Sequence, residues 1–511
     1  MIEQPSSQQK EPKPPTRFST GIGGLDIILH GGILQAGCYL VQGDPGSGKT
    51  TLGLQYLLEQ VKNGARVLYV AMTESRQDME MICASHGWSL EKVELFSLEQ
   101  PSSSLLEQTQ PSIFDPAETQ LGDLIQAVVA QIDRVNPSHI VFDGLSELRL
   151  LSGSQLQYRR QLLSLKNFLA ERGITTILLD DRTGNQELSS HQSVVGGIIV
   201  LETSLPQYGR GRRRLYVGKV RSSDFKDGYH DYDITAGGLV VFPRLVGPER
   251  LESVERRLQT SGVTNLDKMF QGGLMTGASS VFIGPSGVGK STVAMQFVGT
   301  ALRQGFKAAV YSFDEVLSTY IERSEKLNLK SPGALRPYLE DGRLIARQID
   351  PAELTPGAFA ESVRIAVDRG VSIIVIDSLN GYLNSMPEER FLSTHLHELV
   401  SYLNQRNVIT IMMVAQHGVL RGSSPDFNVS YLADSVLLFR YFEAGGEVLR
   451  AITTFKNRTG PHENTRRQLI ITENGVEVGE PMTGLRKIPT GVLYDDAATA
   501  DSSLSEDFIR Q

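Results

Sequence analysis

At 511 residues the chain is too long for one ordinary core, and about two to three domains are expected. Hydrophobic residues make up 40% and charged residues 21%, an ordinary soluble globular balance. The formal net charge of −8 argues against a protein whose main task is coating nucleic acid.

The chain opens on MIEQPSSQQKEPKPPTRFS, polar and Pro-rich with no apolar signal-peptide core, so residues 1–17 are expected to form a disordered tail. A first domain is expected over 18–247. In it the apolar strand CYLVQG runs into GDPGSGKT (43–50), then a helix, TTLGLQYLLEQVKNG. Next come the strand RVLYVAM, helical stretches, the strand SHIVFDGL, a further helix and the strand TTILLD. The two cysteines, Cys38 and Cys83, are too far apart to read as a metal knuckle and fit a reducing, cytoplasmic setting. The charged stretch FPRLVGPERLESVERRL (242–258) marks a boundary, with a linker expected at 248–260.

A second domain, 261–485, repeats the order: SSVFIG, GPSGVGKS (284–291), STVAMQFVGTALRQG, AAVYSF, SIIVIDSL and TIMMVA. Residues 486–511 turn polar and acidic and are expected to stay flexible. No run approaches the roughly 18 apolar residues of a membrane span, so no membrane partner is expected. Gly21 and Gly262, Lys49 and Lys290, and Glu74 and Glu315 are each 241 residues apart. Asp143 and Asp377, and Lys219 and Lys456, drift from that offset by only a few positions. Such a domain-sized period means a duplicated domain, not a solenoid. Short continuous apolar strands alternating with helices predict an α/β fold, each copy a mostly parallel sheet flanked by helices.

Both glycine-rich stretches satisfy the pattern G-x-x-x-x-G-K-[S/T] of a phosphate-binding loop, and each lies between a strand and a helix. The expected nucleotide contacts are Gly43, Gly46, Ser47, Gly48, Lys49, Thr50 and Thr51 in the first copy. In the second they are Gly284, Gly287, Val288, Gly289, Lys290, Ser291 and Thr292. Glycines let backbone N–H groups curl around phosphate, the lysine holds the terminal phosphates, and the Thr50 or Ser291 hydroxyl ligates Mg²⁺. ATP with Mg²⁺ is the expected ligand. An acid closing an apolar strand, Asp143 in HIVFDGL and Asp377 in IIVIDSL, is expected to polarise the metal's water shell. An aspartate there is otherwise a common turn former. Glu74 in VAMTESRQD, and Asp314 with Glu315 in VYSFDEVLS, end the next strand, where active sites of open α/β sheets gather. They are candidates to activate water or an acceptor hydroxyl.

Two phosphate loops in tandem, GWSL after the first acidic segment, KVR and KNR near the domain ends, and the FDGL and IDSL anchors together resemble the KaiC family, whose founding member is the ATPase of the cyanobacterial circadian clock. The resemblance runs from about residue 18 to 485 and implies two tandem RecA-like P-loop NTPase domains. It further implies a homohexamer of two stacked rings with ATP at the subunit interfaces. Lys219 and Arg221, and Lys456 and Arg458, match the family's Lys-x-Arg elements that reach the neighbour's nucleotide. A cation supplied in trans would stabilise transition-state charge.

In that family the N-terminal domain hydrolyses ATP slowly and the C-terminal one phosphorylates its own hydroxyl residues. The matching stretch here, PDFNVSYLADSVLL (425–438), puts Ser430 at the family's Ser position and Tyr431 at its Thr position, with Pro425 replacing an upstream Thr. A tyrosine ring carries its hydroxyl several ångströms further out than threonine. The family's adjacent glutamates become Thr73–Glu74 in the first copy and Asp314–Glu315 in the second. The expected function is therefore a KaiC-like hexameric ATPase with Ser/Thr autokinase activity in the C-terminal domain, a regulatory or timing switch. By the resemblance its partners would be a KaiB-like protein or a signalling kinase. The alternatives are a RecA-type DNA-dependent ATPase, against which the acidic balance argues, and an ATP-assembled scaffold without a phosphorylation cycle.

Overall fold

The computed structural model describes residues 15–97, 116–152, 154–182, 192–205, 209–245, 255–326, 335–350, 352–384, 392–415, 432–473, 475–482, 485–487 and 493–495. Two compact units divide after Arg244. No helix of the described residues is long and apolar enough to cross a membrane.

The strands of the first unit are β1 (Arg17–Phe18), β2 (Ile33–Leu34), β3 (Cys38–Gly43), β4 (Val67–Ala71), β5 (Glu94–Ser97), β6 (His139–Asp143), β7 (Thr175–Asp181), β8 (Gly197–Ser204), β9 (Arg212–Val220), β10 (His230–Thr235) and β11 (Gly238–Phe242). Nine of them form one sheet in the order β11-β10-β9-β8-β3-β7-β6-β4-β5. Pairing is parallel from β8 through β5, and β9, β10 and β11 extend it antiparallel. The central strands are buried along their whole length, which is why they read as unbroken apolar runs.

Successive side chains on β3 serve opposite faces. Tyr39 and Val41 pack with Leu52, Tyr56 and Leu57 of the helix Lys49–Lys62. Cys38 and Leu40 pack on the other face with Val128 and Ile132 of the helix Pro116–Val135 and Leu162 and Leu169 of the helix Gln155–Glu171. Helices on both faces thus bury the sheet.

The second unit repeats the plan. Its strands are β12 (Leu258–Gln259), β13 (Leu274–Met275), β14 (Ser279–Gly284), β15 (Lys307–Ser312), β16 (Leu344–Gln348), β17 (Val371–Asp377), β18 (Ile409–Ala415), β19 (Ser435–Ala444), β20 (Glu447–Asn457), β21 (Arg467–Thr472), β22 (Gly475–Pro481), β23 (Leu485–Lys487) and β24 (Leu493–Asp495). The main order, β16-β15-β17-β18-β14-β19-β20-β21-β22, matches the first unit strand for strand, and β24 adds to β19 beside β23. The expected α/β fold with duplicated, mostly parallel sheets is what the chain adopts.

In both sheets the strand feeding the glycine loop lies between two strands far along the chain: β3 between β7 and β8, β14 between β18 and β19. A crevice outside the carboxyl ends of the strands opens at such a place.

Candidate nucleotide sites

Each glycine loop is shaped by two steric demands. A Cβ on Gly43 would stand 2.5 Å from Ser47 Oγ and 2.8 Å from the Leu201 carbonyl oxygen, so only glycine lets the loop turn back there. Gly48, at φ +95°, then enters the helix from a left-handed conformation that costs glycine nothing. The helix Lys49–Lys62 begins with no side-chain cap, which leaves its first backbone N–H groups available to an anion. Tyr232 fixes the loop from β10 by donating to the Ser47 carbonyl at 2.6 Å. The second loop has the same form: a Cβ on Gly284 would meet the Phe439 carbonyl oxygen at 2.5 Å, Gly289 sits at φ +108°, and the helix Lys290–Arg303 is likewise uncapped. Ser47 and Val288 are buried, so these two positions offer ligand only their backbone.

The chemistry-bearing side chains converge on these loops. Lys49 Nζ donates to the carbonyls of Gly43 (2.9 Å) and Asp44 (3.1 Å), and Lys290 Nζ to those of Gly284 (2.7 Å) and Pro285 (2.8 Å). Thr50 donates its hydroxyl to Asp143 at 3.0 Å; Ser291 donates to Asp377 at 2.6 Å. Burial pushes the Asp143 carboxyl up to about 6, opposed by the hydroxyl that Tyr69 donates at 2.5 Å. Burial also raises Asp377, opposed by Ser291 and by the charge of Arg323. Among the described residues no group of three or more His, Cys, Asp or Glu could hold a metal ion. One hydroxyl and one carboxylate per site do fit Mg²⁺, which keeps waters and takes phosphate oxygens for its remaining positions.

The other acids lie beside these pairs but are held differently. Thr73 donates to Glu74 at 2.8 Å, and the Glu74 charge acts on Asp143. Glu315 forms an ion pair with Arg323 at 2.8 Å. Asp314 accepts a hydrogen bond from Ser378 and packs so closely on the helix Leu379–Asn384 that a Cβ on Gly381 would lie 2.4 Å from its oxygen.

The two Lys-x-Arg elements stand apart from the loops of their own units. Lys219 pairs across to Ile198, and Ile198 to Leu40, three residues before Gly43. Lys456 pairs to Val436, and Val436 to Val281, three residues before Gly284. Three strand residues span about 10 Å. The amines donate to the carbonyls of Gln192 (2.7 Å) and Ala433 (2.6 Å), and Arg221 donates to that of Ser193 (2.7 Å). The Arg458 backbone N–H donates to the Asp434 carbonyl at 2.8 Å. Partial burial, then the neighbouring guanidinium, lowers the pKa of both lysines. Ser430 and Tyr431 lie outside the described residues. The chain is described again from Leu432, whose carbonyl accepts the Ser279 hydroxyl at 2.7 Å at the start of β14.

Several residues of both sites carry no motif. Asp181, at the end of β7, pairs with Lys49 at 2.7 Å. Tyr69 binds Asp143, Arg323 binds Glu315, and Tyr320 is buried where the charge of Asp377 adds to burial in raising its phenol. The only sequence signal for Asp181 is an acid closing an apolar strand, the same signal that singled out Asp143.

The family profile described as "ATPase: KaiC" matches residues 18–246 and again 259–483. The circadian clock protein KaiC3 of Synechocystis sp. is 24% identical over 96% of this chain and 97% of its own length. The circadian clock oscillator protein KaiC of Prochlorococcus marinus (strain MIT 9313) is 24% identical over 94% of this chain and 95% of its own. That of Thermosynechococcus vestitus is 25% identical over 94% and 93%.

Proposed function

Because the chain belongs to the KaiC ATPase family and carries its domain twice, we propose that it is a two-site ATPase whose second unit also phosphorylates the chain itself. One observation carries the reading. In each unit an ammonium group, a hydroxyl and a carboxylate, buried in the first unit and half-buried in the second, meet at a glycine loop and a bare helix N-terminus. The working units are 18–247 and 261–485, joined through 248–260. Backbone N–H groups over 43–51 and 284–292 hold the phosphates, and Lys49 and Lys290 meet the terminal ones. Thr50 with Asp143, and Ser291 with Asp377, would hold Mg²⁺, which would supply positive charge against the phosphates.

Glu74 takes the proton of the attacking water in the first site. In the second, Glu315, with Asp314 beside it, takes the proton of water or of the Ser430 hydroxyl. The bond from the γ-phosphorus to the serine oxygen forms as that to the ADP oxygen breaks. Ser430 is the preferred acceptor, because the ring of Tyr431 places its hydroxyl further out.

Lys219, Arg221, Lys456 and Arg458 act on the nucleotide of a neighbouring copy. About 10 Å back along the sheet from their own loops, with both amines bonded to backbone carbonyls there, they are badly placed to serve their own site. That placement supports a head-to-tail assembly with nucleotide between subunits, and the family resemblance makes it a homohexamer. The clock names of the relatives motivate a role as a regulatory or timing switch acting through protein partners.

The test is phosphosite mapping by mass spectrometry after incubation with Mg-ATP, with ATP turnover measured on the same sample. Phosphate on Ser430 that vanishes in Glu315→Gln is the expected result. An unmodified 425–438 segment with turnover intact would leave a two-site ATPase and remove the kinase.

A further inference from the structure

The lysine of the first loop is in a different state from that of the second. An ammonium group has three protons to donate. Lys49 directs its three to Gly43 O (2.9 Å), Asp44 O (3.1 Å) and the Asp181 carboxylate (2.7 Å), so its donor capacity is filled by protein. Lys290 donates to Gly284 O and Pro285 O, and among the described residues its third proton has no protein acceptor. The cause is one position in the sheet. Asp181 is in register with Gly43 on β3; the residue in register with Gly284 on β14 is Ala415. The pair lies at the mouth of the site, with the lysine side chain 10% and the aspartate side chain 39% exposed.

We propose that Asp181 is an electrostatic gate on the first nucleotide site, competing with the terminal phosphate for Lys49. This rests on the reading of the two glycine loops as ATP sites. ATP brings its own negative charge to the ammonium, so binding in the first site must displace the carboxylate and hold it near a second anion, or push it toward solvent. Neither cost arises in the second site, where a methyl group stands in its place. The first site therefore binds ATP more weakly than the second. The penalty is greater for ATP than for ADP, because the γ-phosphate adds charge nearest to the lysine. A partly exposed ion pair is screened by water and salt, which holds the effect to roughly tenfold in affinity.

The experiment uses the full chain and measures binding of a non-hydrolysable ATP analogue with Mg²⁺, and of ADP. Lys290→Ala silences the second site, and Asp181→Asn is compared with Asp181 on that background. The expected result is roughly tenfold tighter binding of the analogue with asparagine, and a smaller gain for ADP. The reciprocal variant, Ala415→Asp on a Lys49→Ala background, is expected to weaken the second site by a similar factor. Unchanged or weaker binding in Asp181→Asn overturns the gate; weaker binding would make the carboxylate a helper of the metal rather than a rival of the phosphate. If the Lys290→Ala chain binds no analogue with either residue at 181, the ATP reading of the first loop falls, and the gate with it.

Discussion

The two phosphate sites share a loop, a lysine and a hydroxyl–carboxylate pair, and differ in the side chains that reach the lysine, the carboxylate and the base candidate. In the first, a tyrosine of β4, Tyr69, donates to Asp143, and Asp181 faces the lysine. At those places the second has Val310 and Ala415. Its nearby tyrosine comes instead from the helix Leu317–Lys326, as Tyr320, at the position where the first copy has Met79, and its hydroxyl has no hydrogen-bond partner among the described residues. Its base candidate is tied to a guanidinium from that helix, whereas the Glu74 carboxylate accepts a hydrogen bond from its neighbour Thr73. The motif thus sets what the phosphates meet, while residues arriving from other strands and helices set how strongly each site holds its charges. Two identical motifs do not imply two equal sites.

The bluntest way to separate the copies is to remove one lysine at a time. Lys49→Ala and Lys290→Ala are each expected to weaken nucleotide binding at their own site by on the order of 100-fold, the loss of a charge-assisted contact to phosphate. Calorimetric titration should then show one site remaining in each variant; loss of both from a single substitution would mean that the units do not bind independently. A finer cut is Arg323→Leu, which releases Glu315 from its ion pair. Phosphoryl transfer in the second unit is expected to fall roughly tenfold through lost orientation of the carboxylate, with first-site turnover unchanged. Equal loss in both would point to assembly rather than to the site.

The smallest effect sharpens the first site alone. On its proposed role Asp143 would serve Mg²⁺ in its ionised form, and its carboxyl is held at about 6, so kcat/KM of the Lys290→Ala chain should fall as pH drops through that value. Tyr69 donates to the ionised form and so favours it. Tyr69→Phe should therefore move the midpoint upward, by roughly one pH unit, and cost about twofold in rate at pH 7. A midpoint unmoved by the substitution would show that the phenol does not act on Asp143.

What could be read from the sequence followed from contiguity. Each phosphate loop sits within eight consecutive residues, and Asp143 and Asp377 announce themselves by closing apolar strands. The duplication was legible because the offset of 241 residues persists from Gly21 to Glu74. Strand order was not. Nothing in TTILLDD says that it lies against CYLVQG, more than 130 residues earlier, so Asp181 stayed hidden although the strand before it was recognised. Tyr69 and Tyr320 were equally silent, because a tyrosine among apolar residues looks like core until a carboxylate is found beside its hydroxyl. The antiparallel extension β9–β11, which carries Lys219, likewise emerged only with the pairing.

The position of Lys219 and Lys456 gives each unit a front and a back. The phosphate loop lies at one end of the sheet and the paired cations about 10 Å behind it. On the proposed role of these cations in a neighbour's site, two such blocks turned face to face would present loop to loop and leave both sets of cations idle. Only a head-to-tail stack brings the back of one to the front of the next, and head-to-tail contacts either close into a circle or run on as a filament. A single substitution at a loop and another at a Lys-x-Arg element, placed on different chains and mixed, would therefore complement each other at some junctions and leave others doubly broken. Activity plotted against mixing ratio would then bend rather than fall on a straight line, recording the direction in which the chain is read around the assembly.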